Sequence, residues 1–453
     1  MWPHFDILGN MRICPVVVAI VFITTSAVAS AQITPELIRE RTEREWDVKA
    51  DKMGAHLLRL MRIHNIDLWI ILSRENAPDP ALELFGGYGI TGWYGHRNAY
   101  LFYDPGDSGD VQATLETTAI GTHLSGHLRR FFDTLRPYGK EGLVPHLHRY
   151  VGERDPQRIA INQSRTISMA DGLTAELKEY LLAALDTRYH DRLVSSEPLL
   201  VDYVSTRTPA EHTIQREASA ATFEILKRAL SNEVITPGKT RLMDVQYWIT
   251  AEWKQQGFEF NFPASLDLQR VNHAAMDDST NPVIGRGDLL HVDFGVRSSG
   301  IVADQQKMAY VLRADETSVP PGLAAAFEHS TQMASIILDQ FEVGRSGIEI
   351  KNAAEARGRS VGIESLVYSH VQGNWVHDAG VWMIHDWPER YGDHPRFRLR
   401  SGEWVSLEFS VTVPVAEWND QAVTIMREED TLVHDDGRVE YFSGPQTELW
   451  VIR

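Results

Sequence analysis

Gly287-Asp-Leu-Leu-His-Val-Asp-Phe-Gly-Val-Arg-Ser-Ser-Gly-Ile-Val-Ala-Asp304 is the stretch on which the reading of this chain turns. Leu290, Val292, Phe294 and Val296 alternate with His291, Asp293, Gly295 and Arg297, the period of a strand with one buried face. Ser298-Ser299 followed by Gly300 supplies a turn, and Ile301 to Asp304 begins a return strand, so the stretch predicts a β-hairpin. A turn centred on Ser298-Ser299 sets Val296 opposite Ile301, Phe294 opposite Ala303 and Asp293 opposite Asp304. Opposed like charges in a sheet repel, and two aspartates so placed call for a cation between them. Taken alone, the pair reads equally well as chance neighbours at a solvent-exposed hairpin edge.

The same pattern recurs nearer the C-terminus. Val405, Leu407, Phe409 and Val411 form one apolar face, which leaves Glu408 on the other. Ala422 to Val433 is a second strand-like run carrying Arg427-Glu428-Glu429-Asp430-Thr431, and Trp418-Asn419-Asp420 between the two is a turn signal. Pairing about that turn places Glu408 opposite Glu429, with Pro414 a candidate bulge. Divalent metal relieves the repulsion within two such carboxylate pairs most simply, and paired ions are a known catalytic arrangement. A site of carboxylates with one imidazole suits manganese, iron, cobalt or zinc better than a thiolate-seeking metal.

An aspartate, a second aspartate eleven positions on, a histidine segment, a glutamate and then Arg-x-Glu-Asp-Thr together resemble the dinuclear metallopeptidases related to creatinase, which include prolidase, aminopeptidase P and methionine aminopeptidase. The resemblance covers most of the chain after residue 34 and is sharpest from about 285 to 433. It implies five ligands for two divalent ions: Asp293 in Val-Asp-Phe-Gly, Asp304, a histidine, Glu408 in Ser-Leu-Glu-Phe, and Glu429. Glu428 is the rival for the last place. The family's spacing, two residues after the arginine and directly before the aspartate, selects Glu429. Phe409-Ser410 stands where the family often has Pro-Gly.

For the histidine, the family has His-x-x-Gly, and seven residues after the ligand a second histidine that contacts substrate. His370 with Gly373 and His377 matches that spacing, which implies His370 as ligand and His377 at the substrate. The alternative takes His377 as ligand, with Gly380 and His385 following it. The family's upstream substrate histidine corresponds by type to His273, a residue that reads equally well as a plain loop histidine. The resemblance further implies manganese, with cobalt, iron or zinc as alternatives, and Glu408 as the group that shuttles the proton. The substrate would be a small peptide cleaved at an N-terminal residue or an Xaa-Pro bond, and the protein a homodimer. Trp375, Trp382 and Trp387 are candidate walls of the pocket, or simply core. Two other readings stand beside this one: a metal-free amidinohydrolase like creatinase, and a binding protein on the same fold.

Composition agrees with a globular, two-domain chain: 453 residues, 43% hydrophobic and 23% charged. The balance of 44 basic against 62 acidic residues, net −18, argues against nucleic acid or an anionic membrane as partner. Arg12, the apolar run Cys14 to Val28 and the small residues Ala29-Ser30-Ala31 read as an export signal over 1–31, with no membrane contact expected after its cleavage. The chain's single cysteine, Cys14, would leave with that signal, which excludes a disulfide and a thiol nucleophile from the mature protein.

Residues 35–60 are helical in pattern behind Thr34-Pro35, and Asp67–Leu72, Ala99–Asp104 and Ile159–Asn162 read as strands, with a helix near 171–186. Leu193 to Asp202 reads as a last strand or an exit. Strands alternating with helices give a small α/β domain over 32–205. Thr206 to Glu211 then opens a long helix to about Asn232, and 206–453 is the expected catalytic domain. Leu242 to Gln256 is amphipathic, and Asn261 to His273 reads as loop. The resemblance names these parts a creatinase-type N-terminal domain and a pita-bread catalytic domain, a mixed α/β (α+β) fold.

Overall fold

The computed structural model describes residues 33–87, 96–107, 112–122 and 124–453; the expected export signal lies outside the described residues. Helix α1 (Pro35–Ile63) starts as the sequence predicts. Pro35 occupies its first turn, and the Thr34 hydroxyl accepts a hydrogen bond from the Leu37 amide at 3.2 Å.

Strands β1 (Leu68–Arg74), β2 (Arg97–Tyr103), β3 (Glu116–Gly121), β4 (Thr134–Pro137), β5 (Ile159–Ile161) and β6 (Leu193–Ser195) form one sheet in the order β4-β3-β2-β1-β5-β6. Strand β1 is central and buried on both faces, which is why it reads as an unbroken apolar run. Trp69 and Ile71 pack towards α1. Leu68, Ile70 and Leu72 pack towards α2 (Val144–Arg154) and α3 (Ala175–Ala184). The run read as a last strand or an exit, Leu193 to Asp202, is a strand only to Ser195. Helix α4 (Glu197–Ser205) replaces the rest, with Pro198 in its first turn, where the missing N–H costs nothing.

Helix α5 (Pro209–Ala229) opens with a reciprocal cap: Thr208 Oγ1 accepts from the Glu211 amide at 3.2 Å, and Glu211 Oε2 from the Thr208 amide at 2.8 Å. After α6 (Leu242–Gln255), the stretch expected to be loop contains β7 (Ser265–Gln269), whose Leu266 and Leu268 are buried in alternation. Then come β8 (Met276–Asp277), β9 (Leu289–Phe294), β10 (Arg297–Ser298), β11 (Ile301–Val302) and β12 (Gln305–Val311). Helices α7 (Pro321–Leu338) and α8 (Gly347–Ser360) lead to β13 (Glu364–Val367), β14 (His370–Val371), α9 (Pro388–Tyr391), β15 (Trp404–Val415), β16 (Gln421–Val433), β17 (Val439–Tyr441) and β18 (Trp450–Ile452).

The second sheet runs β13-β15-β16-β12-β9-β7-β8, with β14 beside β15, β17 beside β16 and β18 beside β12. Helices α5 and α6 pack with Leu290, Val292 and Phe294, and α7 and α8 with Leu407, Phe409 and Val411. Side chains alternate along a strand, so Asp293 and Glu408 point away from those helices. This is a mixed α/β architecture on a curled sheet with helices over one side. No helix among the described residues is long and apolar enough to cross a membrane.

Both hairpins form, each in a register other than the expected one. The first turn is Ser299-Gly300, with φ of 48° and 74°, so Ser298 pairs with Ile301. Positive φ at both central residues suits the twist of a two-residue hairpin, and glycine takes the second at no steric cost. Moving the turn by one residue moves the pairing by two. Asp293 therefore faces Gln306, and Asp304 lies on the same face one step along. In the second hairpin Val415 pairs with Gln421 around a five-residue connection in which Asn419 and Asp420 have positive φ, and Pro414 pairs without a bulge. Glu408 faces Glu428. A slip of one residue exchanges the two faces of a strand.

Candidate metal centre

Four adjoining strands carry a single row of cross-strand neighbours: Glu408 on β15, Glu428 on β16, Gln306 on β12 and Asp293 on β9. Asp304 joins this face just before β12, and β14 brings His370 opposite Ser406, on the face of Glu408. His370 Nε2 lies 3.7 Å from Asp304 Oδ2, 3.6 Å from Glu408 Oε2 and 3.6 Å from Glu428 Oε1. Candidate ligand atoms of Asp304, His370 and Glu428 all fall within 4.8 Å of one another.

Of the residues expected at the site, Asp293, Asp304, His370 and Glu408 are thus brought together. Glu429 is not. It projects to the other face of β16, where its carboxylate accepts from Lys307 Nζ at 2.6 Å and from the Gln446 amide at 2.8 Å. Arg427, the residue from which the family spacing was counted, shares that face and donates to the Gln446 carbonyl at 2.6 Å. Glu428 takes the place expected of Glu429.

The electrostatics are those of a cluster lacking positive charge. Burial, and then the neighbouring carboxylates, raise the pKa values of Asp293, Asp304 and Glu408. Burial also raises Glu428, against the hydrogen bond from Ser406 Oγ at 2.5 Å. Burial lowers His370 to about 4, leaving a neutral imidazole with a lone pair to offer. Asp293 Oδ1, Asp304 Oδ1 and His370 Nε2 are buried without a hydrogen-bond partner. Buried polar atoms of a folded protein are rarely left so, and acceptors converging on one point fit a divalent cation.

The surroundings hold the cluster in place. Asp430 accepts from the Asp304 amide at 2.9 Å, Ser219 Oγ at 2.5 Å, Gln305 Nε2 at 2.8 Å and Gln372 Nε2 at 2.5 Å, tying both the Asp304 backbone and the histidine segment to β16. Arg207, from the turn between α4 and α5, reaches under that segment to the Gln372 carbonyl (3.0 Å), Asn374 Oδ1 (2.9 Å) and Asp378 Oδ2 (3.0 Å). A Cβ on residue 373 would lie 1.9 Å from the Arg207 guanidinium, which is the physical reason for glycine in His-x-x-Gly.

The ring of His377 stands edge-on to His370 with centroids 4.4 Å apart, and its side chain is exposed. Trp382 lies 5.5 Å from His377 and stacks on His394 at 3.9 Å, whereas Trp387 is exposed and Trp375 packs into the core of the first sheet. His385 is exposed, as is His273, which sits in the turn after β7 with its carbonyl accepting from Gln421 Nε2 at 3.4 Å. Neither belongs to the buried cluster.

Several residues of the site escaped the sequence reading. His291 is buried two residues before Asp293, with Nδ1 2.7 Å from Asp267 Oδ2 and Nε2 3.0 Å from Gln306 Oε1. Burial disfavours a charge on His291, but Asp267 outweighs it and raises the pKa. Strand alternation alone puts His291 on the face of Asp293, Gln306 on that of Asp304 and Asp430 on that of Glu428, a signal present in the sequence.

Residues 213–436 match metallopeptidase family M24. No curated protein sequence matches the chain significantly. Among solved structures, the X-Pro aminopeptidase of Thermotoga maritima MSB8 superposes with a TM-score of 0.65 at 14% identity, over 87% of this chain and 99% of that one. The Xaa-Pro dipeptidase of Bacillus anthracis gives 0.60 at 15% identity, over 89% and 99%. The prolidase of Pyrococcus horikoshii OT3 gives 0.59 at 17%, over 88% and 99%. At such identity these likenesses establish the pita-bread fold and no more. Residues 213–436 thus carry a metallopeptidase family M24 domain, which supports the resemblance to the superfamily of creatinase, prolidase and aminopeptidase P.

Proposed function

We propose that this metallopeptidase holds two divalent ions, manganese first among them, and cleaves N-terminal Xaa-Pro-type bonds of small peptides. The observation that carries the reading is the convergence of four carboxyl groups and a neutral imidazole, with three of their acceptor atoms buried and unpartnered. Asp293, Asp304, His370, Glu408 and Glu428 would hold the ions, which supply Lewis-acid polarisation of a carbonyl and acidify water at neutral pH. Glu408 has one oxygen engaged by Gln306 and the other turned to the cluster. It takes the proton of the attacking water and returns it to the leaving nitrogen. His377, beside His370 but open to solvent, donates to the developing oxyanion or steers the substrate. The face of Trp382, fixed by its stack on His394, offers a flat apolar wall suited to a proline ring.

The test is metal content of the purified protein, together with hydrolysis of Xaa-Pro dipeptides and Xaa-Pro-containing tripeptides before and after Mn²⁺ or Co²⁺ is restored. Cleavage that follows the metal supports the reading, and the preferred length separates dipeptidase from aminopeptidase. Full activity in a metal-free, chelator-treated preparation sinks it in favour of a creatinase-like reaction. Asp293→Ala and Glu408→Ala should each abolish activity with the fold intact. The reading includes export, for which an N-terminus at Gln32 in the mature protein is the check; an intact Met1 start in an active, exported product refutes the cleavage.

A further inference from the structure

The row of acidic residues across the second sheet is interrupted by one amide. Gln306 is buried between Asp293 and Glu428, and no charge of its own explains its place there. Its Nε2 donates to Glu408 Oε1 at 2.5 Å, and its Oε1 faces His291 Nε2 at 3.0 Å. On the far side, His291 Nδ1 lies 2.7 Å from Asp267 Oδ2, whose side chain is 25% exposed. A carboxylate and an amide oxygen can only accept, so in this arrangement the imidazole donates from both nitrogens. Turning the amide over would set its oxygen against the carboxylate of Glu408. Asp267 is thus joined to Glu408 through His291 and Gln306. Glu408 Oε1 is occupied, while Oε2, 3.6 Å from His370 Nε2, faces the cluster.

We propose that Gln306, braced by His291 and Asp267, is a positioning residue that pins one oxygen of Glu408 and leaves the other as the single oxygen presented to ion and substrate. The inference rests on the role given to Glu408 above. An amide N–H does not carry protons along, so the chain of groups acts by holding the carboxylate plane rather than by conducting a proton. Freed of the amide, Glu408 can rotate and offer both oxygens to the ion it should share with substrate.

The experiment compares Gln306→Leu, His291→Phe, their double variant and Asp267→Asn with the unaltered chain, each loaded with Co²⁺. Loss of a group that orients a ligand typically costs 10–100-fold, and about that loss in kcat is expected for Gln306→Leu, with KM for an Xaa-Pro peptide within about threefold. His291→Phe should lose a similar factor. The double variant should lose no more than either single one, because both remove the same restraint. Asp267→Asn, which keeps its volume at the exposed end, should lose less in the same direction and serves if the core variants fold poorly. Independently of turnover, the visible absorption of bound Co²⁺ should change in Gln306→Leu and His291→Phe alike. Unchanged kcat and spectrum, or losses that add in the double variant in step with its loss of Tm, overturn the proposal. An unaltered chain that neither binds Co²⁺ nor cleaves peptide removes the underlying reading and this inference with it; one that does both, with indifferent variants, refutes the inference alone.

Discussion

Adjacent glutamates on β16 should fail in opposite ways. Glu429 is buried against Lys307, itself fully buried, at 2.6 Å. Glu429→Gln leaves that ammonium without its counter-charge, a change that costs about 3–5 kcal/mol in buried pairs, and the lower end applies because the amide oxygen still accepts from Lys307. An unfolding entropy of about 2.1 cal/mol/K per residue over the roughly 420 residues from Gln32 to Arg453 converts about 1 kcal/mol into about 1 °C. Glu429→Gln should therefore melt about 3 °C lower in the presence of chelator. Added Mn²⁺ at a hundred times its Kd should raise Tm by a further ~3 °C, as in the unaltered chain, since binding then contributes about 2.7 kcal/mol. Glu428→Gln removes one of four crowded carboxyls and keeps an acceptor for Ser406, so its chelated form should melt no lower than the unaltered chain. Mn²⁺ should give it little or no shift, and peptide hydrolysis should be lost. Calorimetry with and without Mn²⁺, with metal analysis, reads both variants. The reverse pattern, Glu429→Gln deaf to Mn²⁺ and Glu428→Gln merely less stable, would refute the register on which the site is built.

Other consequences are open to simpler assays. Burial raises Asp79 to about 7, above its unfolded value of about 3.8, so its contribution is complete below the lower value and is lost as pH rises through the upper. That loss amounts to roughly 4 kcal/mol in all, about 2–3 kcal/mol of it between pH 5 and 7, a window over which Asp79→Asn should flatten the fall in denaturant stability; an unchanged slope would contradict the assignment. Gly373→Ala pushes a methyl group into Arg207, and should cost about 1–3 kcal/mol and displace His370, seen as weakened Mn²⁺ affinity. Asp288 is fully buried and held by Arg270 at 2.6 Å through two nitrogens, so Asp288→Ala, which leaves the Gly285 amide unpaired and Arg270 to the solvent, should destabilise by about 1–3 kcal/mol in urea; an unchanged stability would show the pair to be dispensable.

Much of the fold was legible because its signals are local. Thr34-Pro35 and Thr208-Pro209-Ala210-Glu211 state their helix starts in the order of their residues, and those helices begin there. Apolar alternation identified β9 and β15 and gave Asp293 and Glu408 their faces. What failed was non-local. The short β7 carries only Leu266 and Leu268 as signal and becomes a strand by pairing with β9. The brace of Asp267, His291 and Gln306 joins three strands whose adjacency no single window shows.

By itself the sequence determined which residue types could make a cation site and which hairpins would present them, since strand periodicity and turn chemistry are properties of neighbouring residues. Only the tertiary structure decided which glutamate faces His370. From Arg427 to Val433 every residue of β16 is buried, so the alternation that elsewhere separates inside from outside is absent. With both faces covered, the connection at 416–420 and the waiting Lys307 set the register. They turned Glu428 towards His370 and Glu429 away from it.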